Sequence, residues 1–415
     1  MTDRVILHVD LNCFYASVET VLNPALRGRA VAVCGSTEDR HGIVLAKSEI
    51  AKQAGVKTGM VTGEAMRLCP SLTVVPPRFS MYHTFSRYAK GIYLRYSELV
   101  EPFGLDECWI DLTASMHAYP DPFTVAEEIR ETVKRELGLT VSVGVSFNKV
   151  FAKLASDLKK PDATTLITRE NFREKVWPLP ASDLLYVGQA TASRLKLWGI
   201  HTVGDLANAD PKLLSDLLGK NGGMLWQFAN GLDTSRVMRE DEMPLQKSIG
   251  HGITCNADVR EDEEVERIFL ELSQDIARQL REGGFYATGI QIAVKDRLLQ
   301  TKQFDRILAH PTRHANTLAK EGYRLYREKY KKEAPIRALT IRATRLAPTA
   351  EGDQLDLFDG RERQQREEQI DRAVDDITRR HGREAILPAA VLLNDKTRST
   401  LPYESVMPHS ILSID

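Results

Sequence analysis

Acidic residues interrupt two apolar segments of this chain. Asp106 and Glu107 lie within the run Phe103–Leu112, and Asp10 follows the β-branched run Val5–Val9. Consecutive side chains of a regular strand point to opposite faces, so the adjacent pair can serve one site only where the backbone bends. The proline and glycine just before the pair predict a hairpin turn there. Two such carboxylates resist ionisation unless a cation lies between them, and Mg²⁺, a hard ion with oxygen ligands, fits best.

The third carboxylate decides between two interpretations of this pattern. An isolated Asp-Glu pair is usually an acidic surface turn. An acidic residue at the end of a buried strand, before a strand-to-helix turn, is instead a common place to hold a ligand. Three carboxylates from two strands are what two-metal phosphoryl transfer needs, since one ion activates the attacking hydroxyl and the other stabilises the leaving pyrophosphate. We therefore predict Asp10, Asp106 and Glu107 as metal ligands and catalytic residues.

Three ordered motifs resemble the Y-family DNA polymerases, closest to the DNA polymerase IV branch. They are HVDLNCFYASVE at 8–19, EPFGLDECWIDLT at 101–113 and SVGVSFNKVFAKLASDLKKP at 142–161. The likeness extends over nearly the whole chain. It implies an α+β right-hand polymerase with a ferredoxin-like palm, small fingers, a helical thumb and a βαββαβ little-finger domain, using two Mg²⁺ ions.

Composition and secondary-structure patterns, combined with this resemblance, divide the chain into domains. A strand, helix, paired strands, helix and strand predict the palm, with the fingers inserted after its first strand. The little finger repeats that succession, with strands near Ser248–Cys255, Tyr286–Lys295, Thr301–Ile307 and Ile336–Arg345 and helices at 261–282 and 312–330. The predicted domains are palm 1–10 and 79–163, fingers 11–78, thumb 164–234, linker 235–244, little finger 245–347 and acidic tail 348–415.

The resemblance also assigns nucleotide-binding residues. The strand-to-helix turn after Asp10 has backbone N–H groups suited to triphosphate oxygens. Tyr15 corresponds to the aromatic steric gate against a ribose 2′-hydroxyl, whereas aromatic core packing is the alternative for it and for Phe14. The metal ligands include the backbone carbonyl of Leu11. The predicted nucleotide-binding residues are Asn12, Cys13, Phe14, Tyr15, Lys52 and Lys160.

Two segments depart from the family pattern. Where the family has a Tyr and an Arg in YxxAR, this chain has Glu49 and Lys52, and a lysine lacks the guanidinium fork. Solvated lysines are the alternative interpretation for that helix. Lys160 precedes Pro161 as in the family, but Asp162 follows where the family usually has Asn.

The thumb contains a candidate helix-hairpin-helix, which would present backbone N–H groups to a DNA phosphate. Gly188 is followed two residues later by Ala190, where the usual hairpin has a second glycine. A weaker backbone approach to DNA, or an ordinary helical subdomain, is therefore the alternative.

Charge is distributed unevenly along the chain. Residues 243–345 contain 19 Lys and Arg against 14 Asp and Glu, which suits a face that follows a DNA backbone. Residues 348–415 contain 9 against 14, which brings the net charge of the whole chain to −1. Within this acidic tail, Gln354, Leu355, Leu357 and Phe358 match the QLxLF peptide with which bacterial polymerases bind the sliding clamp. The alternatives are a chance match or apolar residues folded against the little finger or the amphipathic helix predicted at 361–381.

Composition excludes several other classes of protein. No apolar run approaches eighteen residues, and the first residues lead directly into a core strand, so we expect neither a membrane span nor a signal peptide. The 5 cysteines include no CxxC pair, which argues against structural zinc and a disulfide framework and favours the reducing cytoplasm. We expect a monomer.

The predicted function is translesion DNA synthesis on primer-template DNA, adding dNTPs to the primer 3′-hydroxyl without proofreading. One alternative is a catalytically silent accessory subunit that binds DNA and the clamp, but such a subunit would not need all three carboxylates. A cyclase-like nucleotidyl transferase on the same palm is disfavoured by the predicted thumb hairpin and clamp peptide.

Overall fold

The computed structural model describes residues 4–36, 42–242, 246–348, 361–382 and 385–392. Two compact units are present, one holding 4–35 and 43–242 and the other holding the described residues from 246 onward. Strands and helices occur in both units, so the predicted α+β class is confirmed. The predicted clamp peptide, Gln354–Phe358, lies outside the described residues.

The first unit contains two sheets and a helical region. Its strands are β1 (Ile6–Leu11), β2 (Val31–Cys34), β3 (Val44–Lys47), β4 (Thr73–Val75), β5 (Val100–Phe103), β6 (Glu107–Asp111), β7 (Val141–Ser146) and β8 (Thr164–Leu166). Its helices are α1 (Phe14–Leu22), α2 (Glu49–Gln53), α3 (Thr62–Leu68), α4 (Phe79–Tyr93), α5 (Pro122–Leu137), α6 (Lys149–Leu158), α7 (Phe172–Val176), α8 (Gln189–Leu197), α9 (Val203–Asn208), α10 (Pro211–Leu218) and α11 (Lys220–Ala229).

The palm is a sheet with strand order β5-β6-β1-β7-β8. The first four neighbours pair antiparallel in the order of a ferredoxin-like βαββαβ unit, and β8 adds in parallel to β7. Central strand β1 is buried along its whole length because both faces of the sheet are covered. Leu7 and Val9 pack into the cluster that contains α5. Ile6 and His8 point to the other face, where α6 covers them.

The fingers and thumb complete the first unit. A small sheet with order β3-β2-β4 packs with α2 and α3 around a core that includes Val44, Ala51 and Ala65. The thumb is helical, and α7 to α11 enclose a separate core around Leu206, Leu214 and other apolar side chains.

The second unit has the predicted βαββαβ succession. Its elements are β9 (Ser248–Val259), α12 (Asp262–Glu282), β10 (Phe285–Asp296), β11 (Thr301–Thr312), α13 (Ala315–Lys329) and β12 (Ile336–Pro348). The strands form one antiparallel sheet in the order β11-β10-β12-β9.

A tail helix, α14 (Arg361–His381), docks on this unit through charges rather than through its apolar residues. The guanidinium of Arg281 donates to both Oδ atoms of Asp375 at 2.7 Å, and His314 Nδ1 lies 2.8 Å from Asp371 Oδ2. Ile370, on the apolar side predicted for this helix, is 54% exposed. A last short helix, α15 (Ala389–Leu392), follows.

In the described ranges, no helix is both long and apolar enough to cross a membrane. The five cysteines are all present as thiols.

Candidate active site

Strand pairing brings the predicted carboxylates to one end of the palm sheet. Asp10 on β1 lies directly opposite Glu107 on antiparallel β6, so the two side chains leave the same face of the sheet. Asp106 lies in the turn between β5 and β6, where Gly104 adopts a left-handed φ of 79°. The carbonyl of Asp106 accepts a hydrogen bond from the N–H of Leu11 at 2.9 Å, which fixes this turn against the end of β1.

The carboxylates differ in their electrostatic surroundings. Burial, followed by the negative charges of Asp10 and Glu107, raises the pKa of Asp106 to about 6. Burial also raises the pKa of Asp10, although nearby Lys160 opposes that shift. Burial alone would raise the pKa of Glu107, but His8 and Lys153 outweigh it and lower that pKa to about 2. The site therefore combines one carboxyl group that resists ionisation with one that is held ionised.

Lys153 on α6 and Lys160, just after that helix, place positive charge beside the carboxylates. Lys160 Nζ lies 2.7 Å from Asp10 Oδ2 and 2.7 Å from Asp157 Oδ1, and the ammonium of Lys153 contacts Glu107. In the part of the chain that the structure describes, no three His, Cys, Asp or Glu side chains are grouped closely enough to enclose a metal ion as they stand.

The donor set nevertheless suits Mg²⁺. The groups at this end of the sheet are hard carboxylate oxygens, the ligands that Mg²⁺ prefers. They already hold two ammonium groups, so the position attracts positive charge. Asp10, Asp106 and Glu107 are the residues that would hold a divalent ion, whose charge would oppose theirs as the two ammonium groups do.

The predicted nucleotide-binding residues after Asp10 fall into two groups. Asn12 is tied into the palm, because its Nδ2 donates to Ser142 Oγ at 2.9 Å and its Oδ1 accepts from the N–H of Asp162 at 2.8 Å. Phe14 is buried in the core. Cys13 instead lies at the N-terminus of α1 in a left-handed conformation, and its thiol donates to Glu49 Oε1 at 3.3 Å. Burial, with the Glu49 carboxylate, raises the pKa of Cys13 to about 11, so the thiol is neutral.

The aromatic ring of Tyr15 is held by a stack. It lies parallel to the ring of Tyr82, with centroids 4.2 Å apart and an interplanar angle of 9°, and Phe79 contacts both rings edge-on. The hydroxyl of Tyr82 donates to Glu19 Oε1 at 2.7 Å, and Arg78 Nε binds both oxygens of that carboxylate. Tyr15 itself is half-buried, so one part of its ring remains accessible.

In the fingers, the two residues that depart from the family pattern form an ion pair with each other. Lys52 Nζ lies 3.3 Å from Glu49 Oε1, the same oxygen that accepts from Cys13. In the described residues no side chain caps the N-terminus of α1 beside them. Asp162, which stands where the family usually has Asn, forms ion pairs with Arg130 at 2.7 Å and Lys134 at 3.0 Å.

The predicted hairpin residues Gly188 and Ala190 lie at the start of α8 in the thumb. Ala190 lies inside the first turn of α8, and Gly188 is the residue that precedes this helix, with an ordinary φ of −75°. The left-handed residue of the turn is Tyr186, with φ 68°, and its side chain is 61% exposed. Tyr186, two residues before Gly188, thus has the left-handed backbone that a glycine adopts most easily. A cavity of about 200 Å³ next to this turn is lined by Tyr186, Ala190, Thr191, Arg194, Leu218, Asn221 and Leu225.

Sequence reasoning missed three side chains at these sites. Tyr82 has no sequence signal beyond an aromatic residue in a helix. Tyr186 has none either, because a left-handed turn position is expected to hold a glycine such as Gly188. His8 did carry a signal, because an imidazole in the middle of a buried apolar strand needs partners. It contacts Glu107, one of the predicted metal ligands, at 3.0 Å.

Comparisons with known proteins show the family to which the chain is similar. The family model described as the impB/mucB/samB family matches residues 9–157, and that of the C-terminal domain of the same family matches residues 246–357. A DNA polymerase IV of Acetivibrio thermocellus is 46% identical over 394 residues, which cover 95% of this chain and 98% of the relative. DNA polymerase IV 1 of Bacillus subtilis is 36% identical, covering 95% of both chains.

A solved structure supports the fold. A Y-family DNA polymerase chimera, Dbh-Dpo4(243-245)-Dbh, aligns with a TM-score of 0.75 at 22% identity and covers 83% of this chain and 99% of its own. The family matches, together with relatives that span almost the whole chain, identify the family. The chain belongs to the impB/mucB/samB family, the Y family of DNA polymerases.

Proposed function

We propose that this chain is a template-directed translesion DNA polymerase that adds dNTPs to a primer 3′-hydroxyl by two-metal-ion nucleotidyl transfer. The observation that carries the proposal is the pairing of Asp10 with Glu107 across β1 and β6, with Asp106 in the adjoining turn. Relatives named DNA polymerase IV share 46% and 36% of its residues.

The chain's own residues bind and orient the reactants. Asp10, Asp106, Glu107 and the Leu11 carbonyl would hold two Mg²⁺ ions, which lower the pKa of the attacking hydroxyl and stabilise the charge on the leaving pyrophosphate. Lys160 lies at the same end of the sheet, 2.7 Å from Asp10, where its ammonium group would contact the triphosphate.

The remaining groups select and hold the nucleotide and the DNA. The uncapped N-terminus of α1 offers backbone N–H groups to phosphate oxygens. Lys52 adds a positive charge, for which the phosphates compete with Glu49. The ring of Tyr15, fixed by its stack on Tyr82, excludes a ribose 2′-hydroxyl. The hairpin near Gly188 and the basic second unit would bind the DNA backbone without reading its sequence.

The proposal also covers recruitment by the sliding clamp, cellular location, oligomeric state and proofreading. Gln354, Leu355, Leu357 and Phe358 would dock on the bacterial sliding clamp, and the polymerase would act as a cytoplasmic monomer. We propose no proofreading activity, because the sequence contains no second acidic cluster of the exonuclease kind.

Primer extension on undamaged templates and on templates with a single lesion tests the proposal. We expect Mg²⁺-dependent extension on both, and no excision of a mismatched primer terminus. A protein that binds DNA and the clamp but extends no primer would instead be an accessory subunit.

A further inference from the structure

His8 links the palm strand β1 to a predicted metal ligand. Its side chain is completely buried, with 0% exposure, and both ring nitrogens have a polar neighbour. Nε2 lies 3.0 Å from Glu107 Oε2, and Nδ1 lies 2.8 Å from Ser156 Oγ on α6. We propose that His8 is a positioning residue: held by Ser156, it fixes the carboxylate of Glu107 for metal binding. This inference rests on the proposed function, in which Glu107 is a metal ligand.

The hydrogen-bonding chemistry assigns a direction to the contact between His8 and Glu107. Of the two neutral tautomers, only the one with hydrogen on Nε2 donates to the Glu107 carboxylate. The hydroxyl of Ser156 donates to the carbonyl of Lys153 at 2.7 Å, and its oxygen lies 2.8 Å from Nδ1 of His8. The imidazole is therefore held between Ser156 and Glu107.

Both donors to Glu107 use the same oxygen. His8 Nε2 and the ammonium of Lys153 contact Oε2, and among the described residues none donates to Oε1. This arrangement leaves one oxygen of the carboxylate for a cation. The ammonium of Lys153 ends an unbranched side chain and can give way to that cation, whereas the ring of His8 is held within the sheet. The imidazole is therefore the contact that can persist when metal binds.

Packing around His8 makes its position rigid. Its ring meets that of Trp109, the residue opposite it on β6, edge to face at a centroid distance of 5.3 Å. On the other side, β7 places Gly144 opposite His8. A Cβ atom at this glycine would lie 1.9 Å from the carbonyl oxygen of Ala152 and 2.4 Å from the N–H nitrogen of Ser156. The glycine thus lets α6 approach closely enough for Ser156 to reach the imidazole.

Three substitutions at His8 separate its hydrogen bonds from its volume. His8→Gln can place an amide nitrogen near the position of Nε2 and keep the contact with Glu107. His8→Asn reaches only as far as Nδ1 and can keep the contact with Ser156. His8→Phe keeps the ring against Trp109 and loses both hydrogen bonds.

Ser156→Ala removes the far end of the chain of contacts, and Ser146→Ala is its matched control. Ser146 is also buried and donates to a backbone carbonyl, that of Ile167, at 2.9 Å. Loss of its hydroxyl removes a comparable hydrogen bond from the palm without touching His8 or Glu107.

The readouts are the Mg²⁺ concentration that gives half-maximal single-turnover extension, and Ca²⁺-dependent dNTP binding to the enzyme–primer-template complex, which needs no turnover. Melting temperature is recorded for every variant. Loss of a residue that orients a metal ligand typically weakens metal affinity or activity by about 10- to 100-fold. We expect a rise of that order for His8→Asn and His8→Phe, a smaller rise for Ser156→Ala, and little change for His8→Gln and Ser146→Ala.

Unchanged metal dependence in folded His8→Asn would overturn the inference, as would equal effects of the Gln and Asn variants. If His8→Phe does not fold, the Asn and Gln pair still decides. A failure of the proposed function itself looks different: wild-type protein would then show no Mg²⁺-dependent extension, or Asp106→Asn would remain active.

Discussion

Asp106 and Glu107 are adjacent in the chain, yet their carboxyl pKa values shift in opposite directions, to about 6 and about 2. Asp106 lies in the half-buried hairpin turn near two other carboxylates, whereas Glu107 begins β6 and contacts His8 and Lys153. The two neighbouring residues therefore have opposite effects: the charged form of Asp106 destabilises the fold, whereas the charged form of Glu107 stabilises it.

The first prediction concerns catalysis. Asp106→Asn or Glu107→Gln should abolish Mg²⁺-dependent primer extension while DNA binding persists, because each removes an ionised metal ligand. The expected loss is at least ~3 kcal/mol of transition-state stabilisation, the scale of removing one electrostatic contact in an active site. Single-turnover extension measures it, and a gel-shift assay controls for DNA binding. Near-normal turnover with metal dependence intact would refute the assignment.

The second prediction concerns stability. The raised pKa of Asp106 means that its protonated form stabilises the fold below about pH 3.8, and that this contribution disappears as pH rises through about 6. The difference corresponds to about 3 kcal/mol. Without metal, Asp106→Asn should therefore raise the free energy of unfolding at pH 8 by up to that amount, and hardly change it at pH 4.

Glu107→Gln is the matched control for this experiment. The lowered pKa of Glu107 means that its ionised form stabilises the fold above about pH 4.5, and that this contribution is lost as pH falls through about 2. The glutamine should lower stability at pH 8. Denaturant unfolding of both variants in EDTA at pH 8 measures the change in the free energy of unfolding. Changes in the same direction for the two variants would contradict the electrostatic explanation.

The third prediction concerns sugar selection. Tyr15→Ala should sharply increase ribonucleotide incorporation, with a smaller loss for deoxynucleotides, because the ring fills the space that a 2′-hydroxyl needs. Tyr82→Phe keeps the ring stacked on Tyr15 and loses only the hydrogen bond to Glu19, so its discrimination should stay close to wild type. The measurement is the ratio of rNTP to dNTP incorporation efficiency. An unchanged ratio in Tyr15→Ala would mean that this side chain serves core packing and not sugar selection.

The fourth prediction concerns the thumb turn. A left-handed conformation costs a residue with a side chain about 1–2 kcal/mol, so Tyr186→Gly should relieve strain at this position. Ala190→Gly is the control: this position is inside α8, where glycine costs about 1 kcal/mol. Melting temperatures should therefore rank Tyr186→Gly above Ala190→Gly. The reverse order would show that the exposed tyrosine ring stabilises the thumb.

The fifth prediction concerns the tail. If Gln354–Phe358 binds the sliding clamp, Leu357 and Phe358 should supply most of the affinity, about 1.5–3 kcal/mol each by buried area. The double change Leu357→Ala, Phe358→Ala should abolish clamp-stimulated processivity and leave single-nucleotide addition on a bare primer unchanged. Clamp binding and melting temperature are measured on the same variant. A large drop in melting temperature with clamp affinity intact would mean that these side chains pack within the protein.

The order of elements could be predicted from sequence because it depends on local patterns. Alternating apolar residues and turn-forming residues located the four strands of the second unit and the two helices between them, α12 and α13. The ends of strands were less predictable: β11 continues to Thr312, beyond Ile307, and β9 to Val259, beyond Cys255. A strand ends where its pairing with a neighbour ends, and both strands continue past irregularities in their ladders.

The candidate site divides in the same way. The sequence predicted one site for Asp10, Asp106 and Glu107, because Asp10 ends an apolar strand and the other two lie where a hairpin bends. The pairing of β1 with β6 then places Asp10 opposite Glu107. Only the tertiary structure decided what surrounds them. Lys153, Lys160 and Ser156 lie far along the chain from the carboxylates and from His8, and they arrive through the packing of α6 on the sheet. The ionisation of each carboxyl group depends on these neighbours and on burial, which no local pattern encodes.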